Sequence, residues 1–462
     1  MLRRDFLTLG LTSMASAALP PETVHAAAAA LPRMQARMSD SICESYLVNT
    51  KFFFKDTVYG HTDAVINLLE DLGVRIVRER ITTGTSIGTR KQQHAMLQLA
   101  KHGIRWHATV GNLSDWRRAD QVNRDVMRHL ANYYKPRLDG DLSAMLHSFG
   151  GCNEIDGFPR DPQWAKHGRI MQKALWRAAK GNAATRHIPV AGPSTRTDIT
   201  RRRASDLGDL SAWSDWANGH IYNRGNSPTR EIDEHMRILR RCFPDAKRWI
   251  FTETGYNDSP QDNLGFTVPK EAAAIYVVRG ICDFFKCNAI YGRFELLDDP
   301  DAINYATQVT INNTAEREAH FGLVEMTKDT IREATPDTWR KKPEYQTTRR
   351  FLHLMADRGR SFSPDPLRLD IAGGRKDLQR VLVQKRNGRH YLLLWRDVDV
   401  YTHYPEADPI PVDPYTVTLR LGTQRPSAVF VPRQDDRPVA THPPRSRIRV
   451  PVGKNLVVVR LG

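Results

Sequence analysis

The 462-residue sequence predicts a (β/α)8 barrel followed by a small all-β domain. Three observations predict it. Strand-like and helix-like runs alternate eight times between residues 40 and 355. Two glutamates, Glu154 and Glu253, stand at the ends of the fourth and seventh strand runs. After residue 360 helical periodicity vanishes, and short strands separated by Pro, Gly and Asp take over.

The elements follow in order. SYLVNT, ending near Asn49, is the first strand, and TDAVINLLEDLG has the apolar spacing of a helix. VRIVRERI is the second strand and ends in charge. QQHAMLQLAKHG is a helix with Gly103 at its stop, followed by the strand IRWHATVG. Residues 120–135 are helical, and SAMLHSFGG leads into Asn153 and Glu154. A helix over 162–181 precedes the fifth strand, IPVAGPS. WANGHIYN is the sixth strand, EIDEHMRILRRCF a helix, and RWIFTETGY the seventh strand. KEAAAIYVVRGICDFFK is a helix, NAIYGRFELLD the eighth strand, and residues 343–356 the last helix. Such alternation implies parallel strands, and eight units suit a closed barrel. An open doubly wound sheet would carry a Gly-rich phosphate loop after an early strand, and the sequence has none. The runs LQRVLVQKR, HYLLLWRDV, YTVTLRL, SAVFVP, SRIRVPV and NLVVVRL then predict a small β-sandwich. The expected division is a signal at 1–30, the barrel at 31–360 and the β-domain at 361–462.

Composition narrows the function classes. Hydrophobic content is 40% and charged content 26%, as in globular proteins. The formal charge is +16, which suits nucleic acid, anionic polysaccharide or an anionic surface as partner. The basic residues are scattered apart from Arg201–Arg203, and no nucleic-acid recognition motif accompanies them, so no nucleic-acid partner is expected. Arg3 and Arg4 before Phe6, Leu7 and an Ala-rich stretch read as a bacterial twin-arginine signal. The expected location is therefore periplasmic or secreted, with the export machinery as a transient partner and no membrane span. Five cysteines without CxxC spacing argue against a disulfide scaffold or a zinc site.

The chemistry lies in the glutamates. In a (β/α)8 barrel, strands four and seven face each other across the mouth at the C-terminal strand ends. Glycosidic bonds are broken by a carboxyl that donates a proton to the leaving oxygen, paired with a carboxylate that attacks the anomeric carbon or activates water. Asn153 can hydrogen-bond a sugar 2-hydroxyl. His107, at the end of the third strand, is a candidate ligand for a sugar hydroxyl. Glu295 and Asp298 in FELLDD are further candidates, and Trp106, Trp116, Trp164, Trp213 and Trp216 could stack on sugar faces. The segments 255–270 and 299–320 are the expected pocket walls. No metal or organic cofactor is needed.

These motifs resemble those of the retaining glycoside hydrolases of clan A over residues 40–355. The appended β-domain is similar to that of the family 39 type. The resemblance implies Glu154 as acid/base and Glu253 as nucleophile. It places Arg78 near the nucleophile. His220 and Tyr222 match a His-X-Tyr pattern whose Tyr donates to the nucleophile. FELLDD, HFGLVE and KKPEYQTTRRFL match the close of such barrels. Two positions depart from the pattern: Tyr291–Phe294 replace a strand-eight Trp, and Cys152 replaces a Trp before Asn153. The implied activity is cleavage of a β-linked glycan, neutral or acidic, by double displacement. A transglycosylase with the same site and a catalytically dead glycan-binding barrel are the alternatives.

Overall fold

A computed structural model describes residues 31–462, apart from 55, 158–160, 261–266, 300–313, 329–331 and 404. The expected export signal lies outside the described residues. Among them, no helix is long and apolar enough to cross a membrane.

The eight expected barrel units are present. The strands are β3 (Tyr46–Asn49), β4 (Ile76–Arg80), β5 (Arg105–Thr109), β6 (Leu146–Gly150), β7 (Ala217–Ile221), β8 (Trp249–Thr254) and β9 (Ala289–Arg293). Two short strands, β1 (Arg33–Met34) and β2 (Arg37–Met38), precede them. Parallel pairing runs from β6 through β5, β4, β3, β9 and β8 to β7. The gap between β6 and β7 is closed by residues 190 and 191, through parallel bridges Phe149–Val190 and Ala191–Trp216. That short bridge is the fifth strand, IPVAGPS. A helix follows each strand: Thr62–Leu72, Ile87–Lys101, Ala119–His129, Trp164–Gly181, Arg201–Leu207, Ile232–Leu239, Lys270–Lys286 and Pro343–Met355. The first shows the logic. Val65, Ile66, Leu69 and Leu72 form one buried stripe at helical spacing, and Gly73, at φ +78°, ends the helix. The fifth lies in the basic run, where the Thr200 hydroxyl caps the N–H of Arg203.

The barrel interior changes character along its axis. At the N-terminal end Leu47, Ile76, Ala191, Ile250 and Ile290 form a sealed apolar plug. Two residues further along three of those strands stand Asn49, Arg78 and Thr252, all buried. Strand alternation keeps both sets inward, so the apolar layer supports a polar one. Gly150 and Gly151 let strand four turn within a crowded space. A Cβ on Gly150 would sit 2.5 Å from His107 Nε2, and one on Gly151 would sit 2.3 Å from Gln172 Oε1 and 2.8 Å from the Pro193 nitrogen.

The C-terminal strands are β12 (Leu367–Ala372), β13 (Leu378–Gln384), β14 (His390–Arg396), β15 (Tyr415–Phe430), β16 (Ala440–Val452) and β17 (Val457–Leu461), after a hairpin of β10 (Val324–Met326) and β11 (Trp339–Lys341). β15 is long and bends at register shifts between Arg420 and Ser427. Its first half pairs with β12 and its second half with β17, so one strand serves two layers. The domain boundary differs from expectation at the N-terminus. β1 pairs with β12 and β2 with β13, so residues 33–38 belong to the β-domain sheets rather than to the barrel. Edge strands need partners, and this early segment supplies them.

The second layer is buried on both faces. Along β14, Leu392 and Leu394 enter the sandwich core, while Tyr391, Leu393 and Trp395 enter the barrel core. Val458 and Val459 of β17 divide the same way. This explains why these strands read as continuous apolar runs. Trp395 is wholly buried and its indole N–H donates to Asp283 Oδ1 at 3.1 Å, on the Lys270–Lys286 helix. Replacing Trp395 with Ala is expected to destabilise the whole chain by about 3–5 kcal/mol. Urea denaturation followed by fluorescence and by far-UV dichroism checks this; loss confined to a separate β-domain transition would contradict a shared core.

Candidate active site

The two glutamates reach the same point by different local devices. Glu154 follows β6 in a turn and has φ +40°, a left-handed backbone that a non-glycine residue adopts at a cost of about 1–2 kcal/mol. The turn is held from both sides. Ser194 Oγ accepts the Glu154 N–H at 2.9 Å, and the Glu154 carbonyl accepts the Gly157 N–H at 2.8 Å.

Glu253 is aimed by a bulge. Phe251 points outward, edge-on to Phe284 of the flanking helix, and Thr252 points inward. Simple alternation would turn Glu253 outward. One extra residue is absorbed in β8, seen as register shifts against both β7 and β9, and this turns Glu253 into the barrel.

Around Glu253 the polar layer is nearly saturated. Arg78 Nη1 donates to Glu253 Oε1 at 2.6 Å and to Asn49 Oδ1 at 2.7 Å, and Tyr222 OH donates to Glu253 Oε2 at 2.9 Å. Arg78 Nη2 also donates to Asn153 Oδ1, which accepts Ser194 Oγ–H at 3.3 Å. With Oδ1 engaged twice, the amide NH2 of Asn153 is the end left to donate to a ligand. Burial pushes the Glu253 carboxyl up, but His220, Arg78 and the Tyr222 hydrogen bond outweigh it and hold the carboxyl below its ordinary value. Burial, reinforced by the Glu253 charge, keeps the Tyr222 phenol well above its ordinary value, hence a donor.

His220 links the two carboxyls. Its Nδ1 lies 3.0 Å from Glu154 Oε1 and 3.3 Å from Glu253 Oε2. A chain of bonds assigns the other nitrogen. Asn218 Nδ2 donates to the Gly192 carbonyl at 3.0 Å, so its Oδ1 accepts from Thr252 Oγ at 2.9 Å. Thr252 Oγ is then the acceptor for His220 Nε2–H at 3.1 Å. Nδ1 therefore either shares a second proton with both carboxylates or accepts one from Glu154. Oxygens of the two glutamates lie within 4.8 Å of each other and of Nδ1. These three groups could by distance hold a divalent cation. The Arg78 guanidinium on Glu253 already supplies positive charge at that point.

A cavity of about 350 Å3 opens over the pair. Its walls include Tyr222, Phe321, Arg196, Arg224 and Arg317, with Gly255 and Asn257 from the expected wall after strand seven. The other expected wall, 299–320, lies partly outside the described residues; its described part supplies Arg317 and Glu318. Glu318 and Asp198 are further carboxyls in the cavity that sequence reasoning missed, and Glu318 is the one near the pair. Loss of solvent pushes Glu318 up to about 7, against the pull of Arg317 and with the push of Glu253 and Glu154. Only proximity in space distinguishes it from any other surface Glu.

Other expectations need correction. His107 is wholly buried in the barrel, 2.8 Å from Ser148 Oγ, and burial pushes it down to about 3. It is a neutral core histidine with no atom open to a sugar. Glu295 is also wholly buried and is taken by Lys51 Nζ at 2.8 Å and Tyr59 OH at 3.0 Å. Burial pushes it up to about 7, and it orients Lys51 instead of facing the cavity. Asp298 is held by Lys342 at 2.9 Å. None of the five candidate tryptophans lines the cavity, where Tyr222 and Phe321 form the aromatic surface. Phe294 packs edge-on against both, while its neighbour Arg293 is buried in an ion pair with Glu344 at 2.7 Å.

No protein-family model matches this chain, and no curated protein sequence does. Solved structures do. A monomeric β-xylosidase from Caulobacter crescentus superposes with a TM-score of 0.57 at 15% identity, covering 93% of this chain and 97% of that one. A bacterial orthologue of human α-L-iduronidase gives 0.55 at 11% identity, covering 93% and 82%. A glucosidase from Croceicoccus marinus gives 0.53 at 14% identity, covering 86% and 91%. The likeness is one of fold. It spans the barrel and the β-domain together, which establishes the expected architecture.

Removing the guanidinium should release Glu253. In Arg78→Gln, burial is less well opposed, so the Glu253 carboxyl titrates higher than in the unaltered protein. Titration of carboxyl-labelled glutamate by NMR reads this directly. An unchanged midpoint would remove Arg78 as a source of the depression.

Proposed function

We propose that this chain is a retaining glycoside hydrolase acting on a β-linked glycan. The observation that carries the reading is the carboxyl pair at the barrel mouth, with oxygens within 4.8 Å and Glu253 held by the Arg78 guanidinium. A close pair fits direct attack by one carboxylate on the anomeric carbon, since retaining pairs stand about 5–5.5 Å apart and inverting pairs about 6.5–9.5 Å. The appended β-domain, similar to that of the family 39 type, supports placing the chain near that family as part of the same reading.

Glu253 is the nucleophile. Arg78 and Tyr222 keep it ionised and fix its orientation. Its carboxylate attacks the anomeric carbon as the glycosidic C–O bond breaks, giving a covalent glycosyl ester. Glu154 is the acid/base. Its side chain is more exposed than that of Glu253, 34% against 11%, as a group that meets the leaving oxygen requires. It donates its proton to that oxygen, then takes one from the water that cleaves the ester. His220 Nδ1 holds Glu154 in place through both steps. Asn153 offers its amide N–H to the sugar hydroxyl beside the reacting carbon, a contact that tightens in the transition state. No step calls for a metal or organic cofactor. The paired arginines near the N-terminus support export to the periplasm or beyond as part of the same reading.

The roles are separable. Glu253→Gln should lose at least about 10^4-fold in kcat while keeping its melting temperature. Glu154→Ala should lose about 10^2–10^4-fold on an unactivated substrate. With an activated aryl glycoside it should regain turnover when azide is added, yielding a glycosyl azide of retained configuration. A mechanism-based fluorosugar should add its mass to the peptide carrying Glu253. Labelling elsewhere, or an azide product of inverted configuration, would overturn the assignment.

A further inference from the structure

The β-domain carries an arginine-covered face that the catalytic reading leaves unused. On β12, β15 and β16 the inward residues are Leu369, Leu419, Leu421, Ile448 and Val450, all buried. The alternate positions point outward. They hold Arg368 and Asp370 on β12, Arg420 on β15, and Arg447 and Arg449 on β16. Registered neighbours bring like charges opposite each other: Arg33 faces Arg368, Arg420 faces Arg447, and Arg425 faces Arg445. Such pairs destabilise a sheet. Asp370 is the one acid in this row, 3.6 Å from Arg420.

The imbalance is directional. Residues 361–462 hold 17 Arg and Lys against 10 Asp and Glu. Several of the acids are turned away from this face. Asp397 and Asp399 bond Ser227 of the barrel, Asp377 holds Arg396, and Asp436 faces Arg349 and Arg350. A second observation marks a binding place. At the end of the face, a cleft of about 330 Å3 is lined by Arg33, Arg368 and Arg425 with Gly422 and Thr423. The Nε of Arg425 is buried there with no hydrogen-bond partner among the described residues. A buried guanidinium N–H without an acceptor is costly unless a ligand supplies one.

We propose that this face binds an acidic polysaccharide, one carrying carboxylate or sulfate groups along its chain, and holds it beside the catalytic barrel. The choice of glycan among polyanions rests on the glycosidase reading. It is also favoured by the face itself. No aromatic side chain interleaves the arginines, as single-stranded nucleic-acid platforms require. Among the described residues of the domain, Val439 is the one exposed large apolar side chain, which gives a bilayer little to bury. The arginine rows repeat at the strand spacing of about 4.8 Å, roughly the length of one sugar ring. Arg forks match carboxylate and sulfate oxygens in pairs.

The test uses full-length protein carrying Glu253→Gln, so that no chain is cut, with polygalacturonate as the probe. Binding should weaken steeply with NaCl, and an uncharged β-glucan should not bind this face. Arg445→Ser/Arg447→Ser/Arg449→Ser should lower affinity at least about 10-fold at low salt and reduce the salt slope by about two to three. Its melting temperature should hold or rise, since like-charge repulsion is removed. Arg33→Ser/Arg420→Ser should weaken binding in the same direction. Unchanged affinity in both variants would overturn the site. Tighter binding of duplex DNA or of phosphatidylserine vesicles than of polygalacturonate, at equal salt, would overturn the glycan as occupant. Salt-dependent binding that persists without fluorosugar labelling of Glu253 would leave the surface standing and remove the glycosidase reading alone.

Discussion

The structure turns on one buried charge. Glu253 stands at the top of the barrel core with little access to water, and an isolated carboxylate there would be protonated. Arg78, Tyr222 and His220 make the charged form the favoured one. The requirement then propagates. Arg78 must itself be held, and Asn49 and Asn153 accept from its two terminal nitrogens. His220 must be oriented, and Thr252, Asn218 and the Gly192 carbonyl fix its ring. Barrel strands one, two and four to seven, or the turns that follow them, thus contribute to one network whose purpose is a single ionised oxygen pair. Breaking such a pair from one side costs about 3–5 kcal/mol, because the other charge is left buried.

The β-domain is part of that arrangement. Arg279 is wholly buried and donates to Ser227 Oγ and the Val398 carbonyl, while the Tyr276 hydroxyl accepts the Val400 N–H. Tyr256, two residues past the last residue of β8, packs in the same cluster as Val400 and donates to the Asn226 carbonyl. The segment 396–401 therefore braces the loops after strands six and seven, which bring Arg224, Gly255 and Asn257 to the cavity. Acids of the β-domain are spent at this junction, and the arginines are left on the opposite surface.

Much of the architecture was legible because it rests on local pattern. Eight alternations of period-two and period-3.6 runs, each stopped by Gly, Pro or charge, mark the barrel units. The loss of helical spacing after residue 360 marks the β-domain. The order of Glu154 and Glu253 on strands four and seven follows from counting. Arg78, Asn153, His220 and Tyr222 were found because they sit at strand ends, where a barrel gathers its chemistry. His107 and Glu295 occupy equally good positions in sequence, yet both are sealed in the interior. Ser148 and Lys51 reach them first, and no local signal separates a strand-end residue facing a ligand from one facing a neighbour.

The sequence by itself determined the element order, the residue types at the strand ends and the apolar faces that drive the two cores together. Tertiary structure decided which polar groups meet. Glu253 lies on the outward phase of its strand by simple alternation, and a bulge resolved only against β7 and β9 turns it inward. Glu154 needs a left-handed backbone that Ser194, 40 residues away, helps to hold. Glu318 and the arginine ladder of the β-domain depend on register between segments distant in the chain. Periodicity is encoded over a few residues, whereas the energy of a buried charge is set by every group packed around it.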